Sequence, residues 1–370
     1  MRPSRSRVEL VPATAGLALI VIAIAARQSW LDRHFLPSFF IPRQWYVSIE
    51  TAVRVAIGVV GALLVLGRSR VVRLVTSSPA MTGCVVVAAV LALGAGEVTL
   101  RSIRLRPTGW LVPDEEPKRQ PDPQLGWVLA PSRTGTAVVG GRSIDYAIDA
   151  AGYRVRLVDE PVDPGRPAIV FVGESVMFGE GITWEESIPA RTGAMLGVPG
   201  ANLAVHGYST DQIFLRLRNE LPRFRRPLAV VSIFMTELFG RNLDDDRPHL
   251  AAGLAWQPAV SAPRLMSLAA LLVPFRRDRT VDEGVRMTRD VLRATAELAR
   301  ARGATPLIVV PQFGVEDESQ RALRERVLES DLPVLVVRLD PDWRLPWGVH
   351  PNARGADVIA QAIAARLSHR

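Results

Sequence analysis

The stretch Ile169-Val-Phe-Val-Gly-Glu-Ser-Val-Met-Phe-Gly-Glu-Gly-Ile182 decides how this 370-residue chain reads. Ala168 to Val172 is a short apolar run of the kind that forms a buried strand. It stops at Gly173-Glu174-Ser175, and Gly179 and Gly181 follow before a helical pattern resumes near Trp184. Open parallel sheets gather their sites at the carboxyl ends of their strands, so a serine just past the first strand is placed for chemistry. The nearby glycines let a ligand come close to the backbone.

Outward from this stretch the pattern alternates. Strands are expected over Ala168–Gly173, Ala201–Val205, Leu228–Phe234, Pro306–Val310 and Pro333–Leu339. Helices are expected over Trp184–Leu196, Asp211–Leu221, Val281–Arg302, Glu318–Ser330 and Pro351–Arg366. Short apolar runs alternating with helical periods imply an α/β fold, with a parallel sheet covered on both faces. Leu238 to Arg279 reads as an insertion. It contains Asp244-Asp245-Asp246 and a Leu/Ala-rich run, Leu265 to Leu272. The last helix opens on His350-Pro-Asn-Ala-Arg-Gly355. A serine after the first strand and a histidine before the last helix can form a nucleophile–base pair.

These blocks resemble those of the SGNH/GDSL hydrolases, a family of serine esterases and lipases. Gly173-Glu174-Ser175 matches the first block, typically Gly-Asp-Ser. Asn202-Leu203-Ala204-Val205-His206-Gly207 matches the second, and His350 to Gly355 the last. The resemblance covers residues 166–370 and implies a three-layer α/β/α sandwich, flavodoxin-like in its parallel sheet. It implies that Ser175 attacks an ester carbonyl and that His350 takes the proton. The N–H groups of Ser175 and Gly207 would hold the oxyanion. Asn202 reads as structural, and His206 as a lesser alternative base. No cofactor and no metal are implied.

Two positions depart from the family. Thr236 stands where an oxyanion-binding asparagine is expected, and Asn242 could replace it only if its loop folds back. Trp347 stands where the aspartate three residues before the histidine is expected, which leaves Asp340 or Asp342 as a partner for His350, or a dyad oriented by a backbone carbonyl. A threonine can donate one hydrogen bond but is shorter than an amide; loss of one oxyanion donor costs about 10²–10³ in rate. The bland readings are a capping serine for Ser175 and a water-exposed helix-start residue for His350. The leading expectation is a serine esterase acting on acyl or acetyl esters of an extracytoplasmic glycan or lipid. The alternatives are acyl transfer through the same serine and a catalytically impaired binding module, in which Trp347 could stack on a sugar.

The first hundred residues differ in kind. Three apolar segments, 11–26, 48–67 and 81–100, are candidate membrane spans; about 20 residues suffice to cross a bilayer. Arg54 in the second would have to snorkel. Positive charge does not orient them, because six arginines fall on each side. The compact, acid-free Arg68–Arg73 loop favours an inside N-terminus and an outside C-terminal domain. The expected organisation is therefore a membrane region over 1–106, a linker and small β-rich segment over 107–165, and the hydrolase-like domain over 166–370. The segment's Gly140-Gly141 reads as a hairpin turn. The formal charge of +8 is carried almost wholly by dispersed arginines, Lys118 being the only lysine. No nucleic-acid motif accompanies it, so nucleic acid is not an expected partner. Cys84 is the only cysteine, which excludes an internal disulfide and a cysteine-built metal site.

Overall fold

The structure is a computed structural model and describes residues 5–36, 43–102, 116–260, 262–328, 331–346 and 348–368. The start of the expected linker, residues 107–115, lies outside the described residues, as do Trp347 and His369. The chain divides into two compact units: 1–37, 41–110 and 262–276 form one, and 38–40, 111–261 and 277–370 the other.

The first unit is helical. It holds α1 (Arg5–Ala25), α2 (Gln28–His34), α3 (Arg43–Leu66), α4 (Arg68–Ser77) and α5 (Pro79–Ser102). Two of these, α3 and α5, are long and apolar enough to cross a membrane; α1 qualifies only if joined to α2 as one span bent by 91°. Helices α1 and α3 run antiparallel with their backbones almost touching. A Cβ on Gly16 would lie 2.5 Å from the Gly61 carbonyl oxygen, and one on Gly61 would lie 2.6 Å from that of Gly16. Residues without a bulky side chain facing each other permit such close packing. The Arg54 Nε donates to the Ala23 carbonyl at 3.2 Å, near the C-terminal end of α1, where a cation complements the helix dipole.

The second unit is mixed α/β. Its strands are β1 (Arg119–Asp122), β2 (Gly126–Leu129), β3 (Arg133–Val139), β4 (Arg142–Ile148), β5 (Arg154–Val155), β6 (Pro167–Phe171), β7 (Gly200–Asn202), β8 (Arg226–Ile233), β9 (His249–Ala251), β10 (Ala255–Gln257), β11 (Thr305–Phe313) and β12 (Val334–Leu339). An eight-stranded sheet runs in the order β12-β11-β8-β6-β7-β5-β4-β3. The five strands from β12 to β7 pair in parallel, and β5, β4 and β3 add antiparallel strands beyond β7. The β-rich segment is thus continuous with the parallel sheet. Gly140 and Gly141, both at positive φ, form the two-residue turn between β3 and β4, the backbone sign that a twisted hairpin favours.

The sheet is buried because its central strands are apolar throughout. Ile169, Val170, Phe171, Val230, Val231 and Val309 are all at most 3 % exposed, as strands covered on both faces require. The packing helices are α6 (Ser175–Phe178), α7 (Ile188–Leu196), α8 (Thr210–Glu220), α10 (Asp278–Ala301), α11 (Glu318–Val327) and α12 (Ala353–Ser368), α9 (Arg264–Leu272) belonging to the helical unit. Strand β7 is shorter than expected. After Asn202 the chain leaves regular pairing, although the Leu203 and Val205 N–H groups still donate to the Phe171 and Gly173 carbonyls.

Candidate active site

Ser175 follows β6, Gly207 follows β7 and Thr236 follows β8, and those three strands are neighbours in the sheet. His350 follows β12 and precedes α12. The expected site residues therefore gather at one end of the sheet, where its parallel strands finish.

Ser175 begins α6, a single turn entered through Gly173. A Cβ at Gly173 would meet the Met177 Cβ at 2.4 Å and Ile233 at 2.8 Å, so only glycine fits between strand and turn. Glu174 caps this turn: its Oε2 accepts from the Val176 N–H at 2.9 Å. The same oxygen accepts from Ser175 Oγ at 2.7 Å. His350 Nε2 also lies 2.8 Å from Oγ. Glu174, Ser175 and His350 are all at most 4 % exposed. The serine hydroxyl has one proton and two acceptors, so it can turn to either.

Asn202 is wholly buried. Its Nδ2 donates to the Phe178 and Met177 carbonyls at 3.2 and 3.4 Å, and its Oδ1 accepts from the Ala204 N–H at 3.1 Å. It joins the second block to the turn carrying Ser175. Trp127 of β2 donates from Nε1 to the His206 carbonyl at 3.2 Å, and Arg119 of β1 stands over its ring. A Cβ at Gly207 would approach that ring to 3.2 Å. The β1–β2 hairpin thus lies beside the oxyanion candidate.

Thr236 is buried and opens a 3₁₀ segment, Thr236–Leu243. Asn242 is already committed elsewhere. Its Oδ1 accepts from the Thr210 N–H at 2.9 Å, and its Nδ2 donates to the Thr210 and Thr288 hydroxyls at 3.0 Å each. Both amide hydrogens are used, so Asn242 does not replace the missing asparagine. Asp340 and Asp342 are exposed; the Asp340 carboxylate accepts from the Asp342 N–H at 2.9 Å and caps its own turn.

Three residues of this region escaped the sequence reading. Glu174 stands inside the quoted block, yet nothing in the pattern shows that its carboxylate reaches Ser175. Glu180 Oε2 lies 3.7 Å from His350 Nε2. Burial pushes the Glu180 carboxyl up, against the pull of Arg241 and Arg119. Arg154, from β5, is fully buried and donates to the Phe178, Gly179 and Ile182 carbonyls at 2.6, 2.7 and 2.8 Å. Its guanidinium stacks over the Tyr146 and Phe178 rings, and the Tyr146 hydroxyl accepts from the Gly181 N–H at 2.8 Å. The loop carrying Glu180 is therefore held at several points. His206 is buried, and burial first, then Arg119, Arg241 and His350, lower its pKa to about 3. It is neutral at physiological pH, and neither ring nitrogen has a hydrogen-bond partner among the described residues.

A buried serine hydroxyl between an imidazole and a carboxylate can lose its proton to the imidazole and attack an electrophilic carbon. Among the described residues no cluster of metal-ligating side chains accompanies it. No protein-family model and no curated sequence matches the chain. Solved structures similar to it include a putative lipolytic protein of the G-D-S-L family from Desulfitobacterium hafniense, with 14% identity, a TM-score of 0.35, and coverage of 54% of this chain and 98% of the other. A carbohydrate acetylesterase from Sinorhizobium meliloti has 12% identity, a TM-score of 0.35, and coverage of 55% and 99%. An acetyl xylan esterase from Butyrivibrio proteoclasticus has 11% identity, a TM-score of 0.33, and coverage of 57% and 66%. Likenesses of this degree leave the chemistry to be argued from the residues themselves.

Proposed function

We propose that the chain is a membrane-anchored serine esterase of the SGNH/GDSL type. The observation that carries this reading is the 2.8 Å approach of His350 Nε2 to Ser175 Oγ, between residues 175 apart in sequence. In the proposed reaction Oγ attacks the ester carbonyl as its proton passes to His350. The N–H groups of Ser175 and Gly207 receive the oxyanion, with the Thr236 hydroxyl as a third donor. His350 then protonates the leaving alcohol, and water releases the acid by the reverse sequence. Glu180 and Glu174 are carboxylates close enough to favour the imidazolium that forms between these steps.

Helices α3 and α5 anchor the protein, α1 completes the membrane region, and the α/β unit faces the extracytoplasmic side. Acyl or acetyl esters of a glycan or lipid in that compartment are the proposed substrates. The test is labelling by a fluorophosphonate probe, which reacts with activated serines. The full chain in detergent is expected to label, and Ser175→Ala and His350→Ala are each expected to reduce labelling to background. A folded wild-type protein that does not label would overturn the reading, and direct measurement of glycan binding would then test the binding-module alternative.

A further inference from the structure

The α/β unit's chain leaves it at residue 262 and returns at 277, and the fifteen residues between belong to the helical unit. This excursion is fastened there at both ends. At its start, the Glu97 carboxylate of α5 accepts the Arg264 and Leu265 N–H groups at 2.9 Å each, capping α9 from another helix. At its end, the Arg276 N–H donates to the His34 carbonyl at 2.6 Å, and the Leu36 N–H donates to the Pro274 carbonyl at 3.3 Å. Phe275 sits in an aromatic cluster with Trp30, His34 and Phe35, at ring separations of 5.4–6.1 Å. Leu265 packs where α5 offers only Gly96, its methyls 3.8 Å from where a Cβ would stand.

What the helix shows outward is also apolar. Met266, Ala269, Leu272 and Val273 fall on one exposed side, with Met266 at 65 % and Leu272 at 73 % exposure. Its polar side chains are Arg264 at its start and Ser267, whose hydroxyl donates back to the Pro263 carbonyl. A helix bathed in water carries a polar outer face. This one exposes Met266, Ala269 and Leu272 beside the stripe that carries Leu265, and no charged side chain follows Arg264 along it. On α5, which the helix meets at Gly96 and Glu97, Leu91, Leu93 and Val98 are likewise each more than 60 % exposed.

From this fastening and this apolar exposure we infer that residues 264–275 lie in the membrane itself, at the boundary of headgroups and acyl chains around the Glu97 end of α5. Lipid is the occupant of the outer face. The arginines that bound the run, Arg264 and Arg276, stand at the level of phosphates, as in helices that lie in the interfacial plane. The antiparallel pair α1 and α3 agrees with this placement, because the α1–α3 connection meets Phe275 while the far end of α5 meets Arg264. The inference rests on the reading of α3 and α5 as membrane spans and adds a non-spanning segment contributed from within the α/β unit's sequence.

The test uses the full chain in liposomes, with Cys84→Ser removing the native thiol. Single cysteines carry an environment-sensitive fluorophore at Met266→Cys, Leu272→Cys, Leu91→Cys in α5 and Val138→Cys at the β3 turn. Quenching is measured with nitroxide lipids and with aqueous iodide. The expected result is blue-shifted emission and lipid quenching at 266, 272 and 91, with iodide quenching at 138 alone. Iodide quenching at 266 and 272, with 91 in lipid, overturns the inference and leaves the membrane reading intact. Blue-shifted emission at 266 and 272 that neither agent quenches also overturns it, because a protein then covers the face. Iodide quenching at 91 removes the membrane reading and the inference together.

Discussion

The carboxylate of Glu174 and the hydroxyl of Ser175, adjacent in sequence, are hydrogen-bonded to each other at 2.7 Å, and the same Oγ lies 2.8 Å from His350 Nε2. The residue that caps the serine's turn is therefore also, with His350, one of two acceptors for the serine's proton.

Separating these two roles needs two substitutions. Glu174→Gln keeps an acceptor for the Val176 N–H but loses the negative charge. Glu174→Ala loses both. Thermal melting is expected to show the alanine variant destabilised by about 1 kcal/mol, the usual worth of a helix cap, and the glutamine variant close to wild type. In both, the acid limb of the fluorophosphonate labelling rate is expected to move to lower pH, because less negative charge then faces the imidazolium. An unmoved acid limb would confine Glu174 to capping.

Glu180 gives a second, independent handle on the same histidine. Its carboxylate sits 3.7 Å from Nε2. Its backbone N–H donates to the Ser175 carbonyl at 3.0 Å, a contact that a side-chain substitution leaves in place. Glu180→Gln is expected to slow labelling about tenfold, the equivalent of roughly 1.4 kcal/mol in the barrier, with melting unchanged. A labelling rate equal to that of wild type would remove Glu180 from the chemistry.

Thr236 tests the oxyanion assignment. Thr236→Val keeps the shape and removes the hydroxyl, and the labelling rate is expected to fall by about 10² if a donor is lost. Thr236→Asn restores an amide at that position and is expected to label at least as fast as wild type. Equal rates for valine and threonine would leave the backbone N–H groups as the only donors.

Asp211 and Arg247 form an ion pair at 3.1 Å, at 0 and 3 % side-chain exposure. Asp211 Oδ2 also accepts the Leu250 N–H at 3.0 Å. Burial raises the Asp211 carboxyl, but Arg247, Ser209 and Leu250 together outweigh it and hold its pKa low. Asp211→Ala strands a buried guanidinium, and a loss of about 3–5 kcal/mol is expected in chemical denaturation. Arg247→Met in the same chain is expected to recover part of it. Because the folded pKa lies below the unfolded one, the pair's contribution is complete above the unfolded aspartate value of about 3.9 and is lost as pH falls through the folded value.

His206 acts in a higher pH window. Its unfolded pKa of 6.5 falls to about 3 on folding. Between those values the unfolded chain binds a proton that the folded chain does not, so stability declines as pH drops through the interval. His206→Phe, which keeps a ring beside Phe178, is expected to flatten the decline between pH 6.5 and about 3. Parallel stability curves for the two proteins would exclude this assignment.

The five parallel strands and the longer helices that cover them were legible because their signal is local. Val170 and Val231 belong to apolar runs, and the Gly-Glu-Ser and His-Pro-Asn blocks are short. What the sequence hid depends on partners far along the chain. The Arg154 guanidinium finds its carbonyls 24 to 28 residues on. Asn242 spends its amide on Thr210 and Thr288, 32 and 46 residues away. The run Leu265 to Leu272 reads only as a Leu/Ala-rich part of an insertion, because Glu97, which caps its helix, stands 167 residues before Arg264.

Arg154 has one more consequence. Its strand precedes the first parallel strand, yet its guanidinium donates to the carbonyls of the turn and loop that follow Ser175. The segment from 166 onward carries every residue of the family blocks, but transplanted alone it would carry them on an unsupported loop. The support of the loop after Ser175 thus begins upstream of those blocks: a chain cut at 166 would keep Ser175 and lose every Arg154 contact to the carbonyls that follow it.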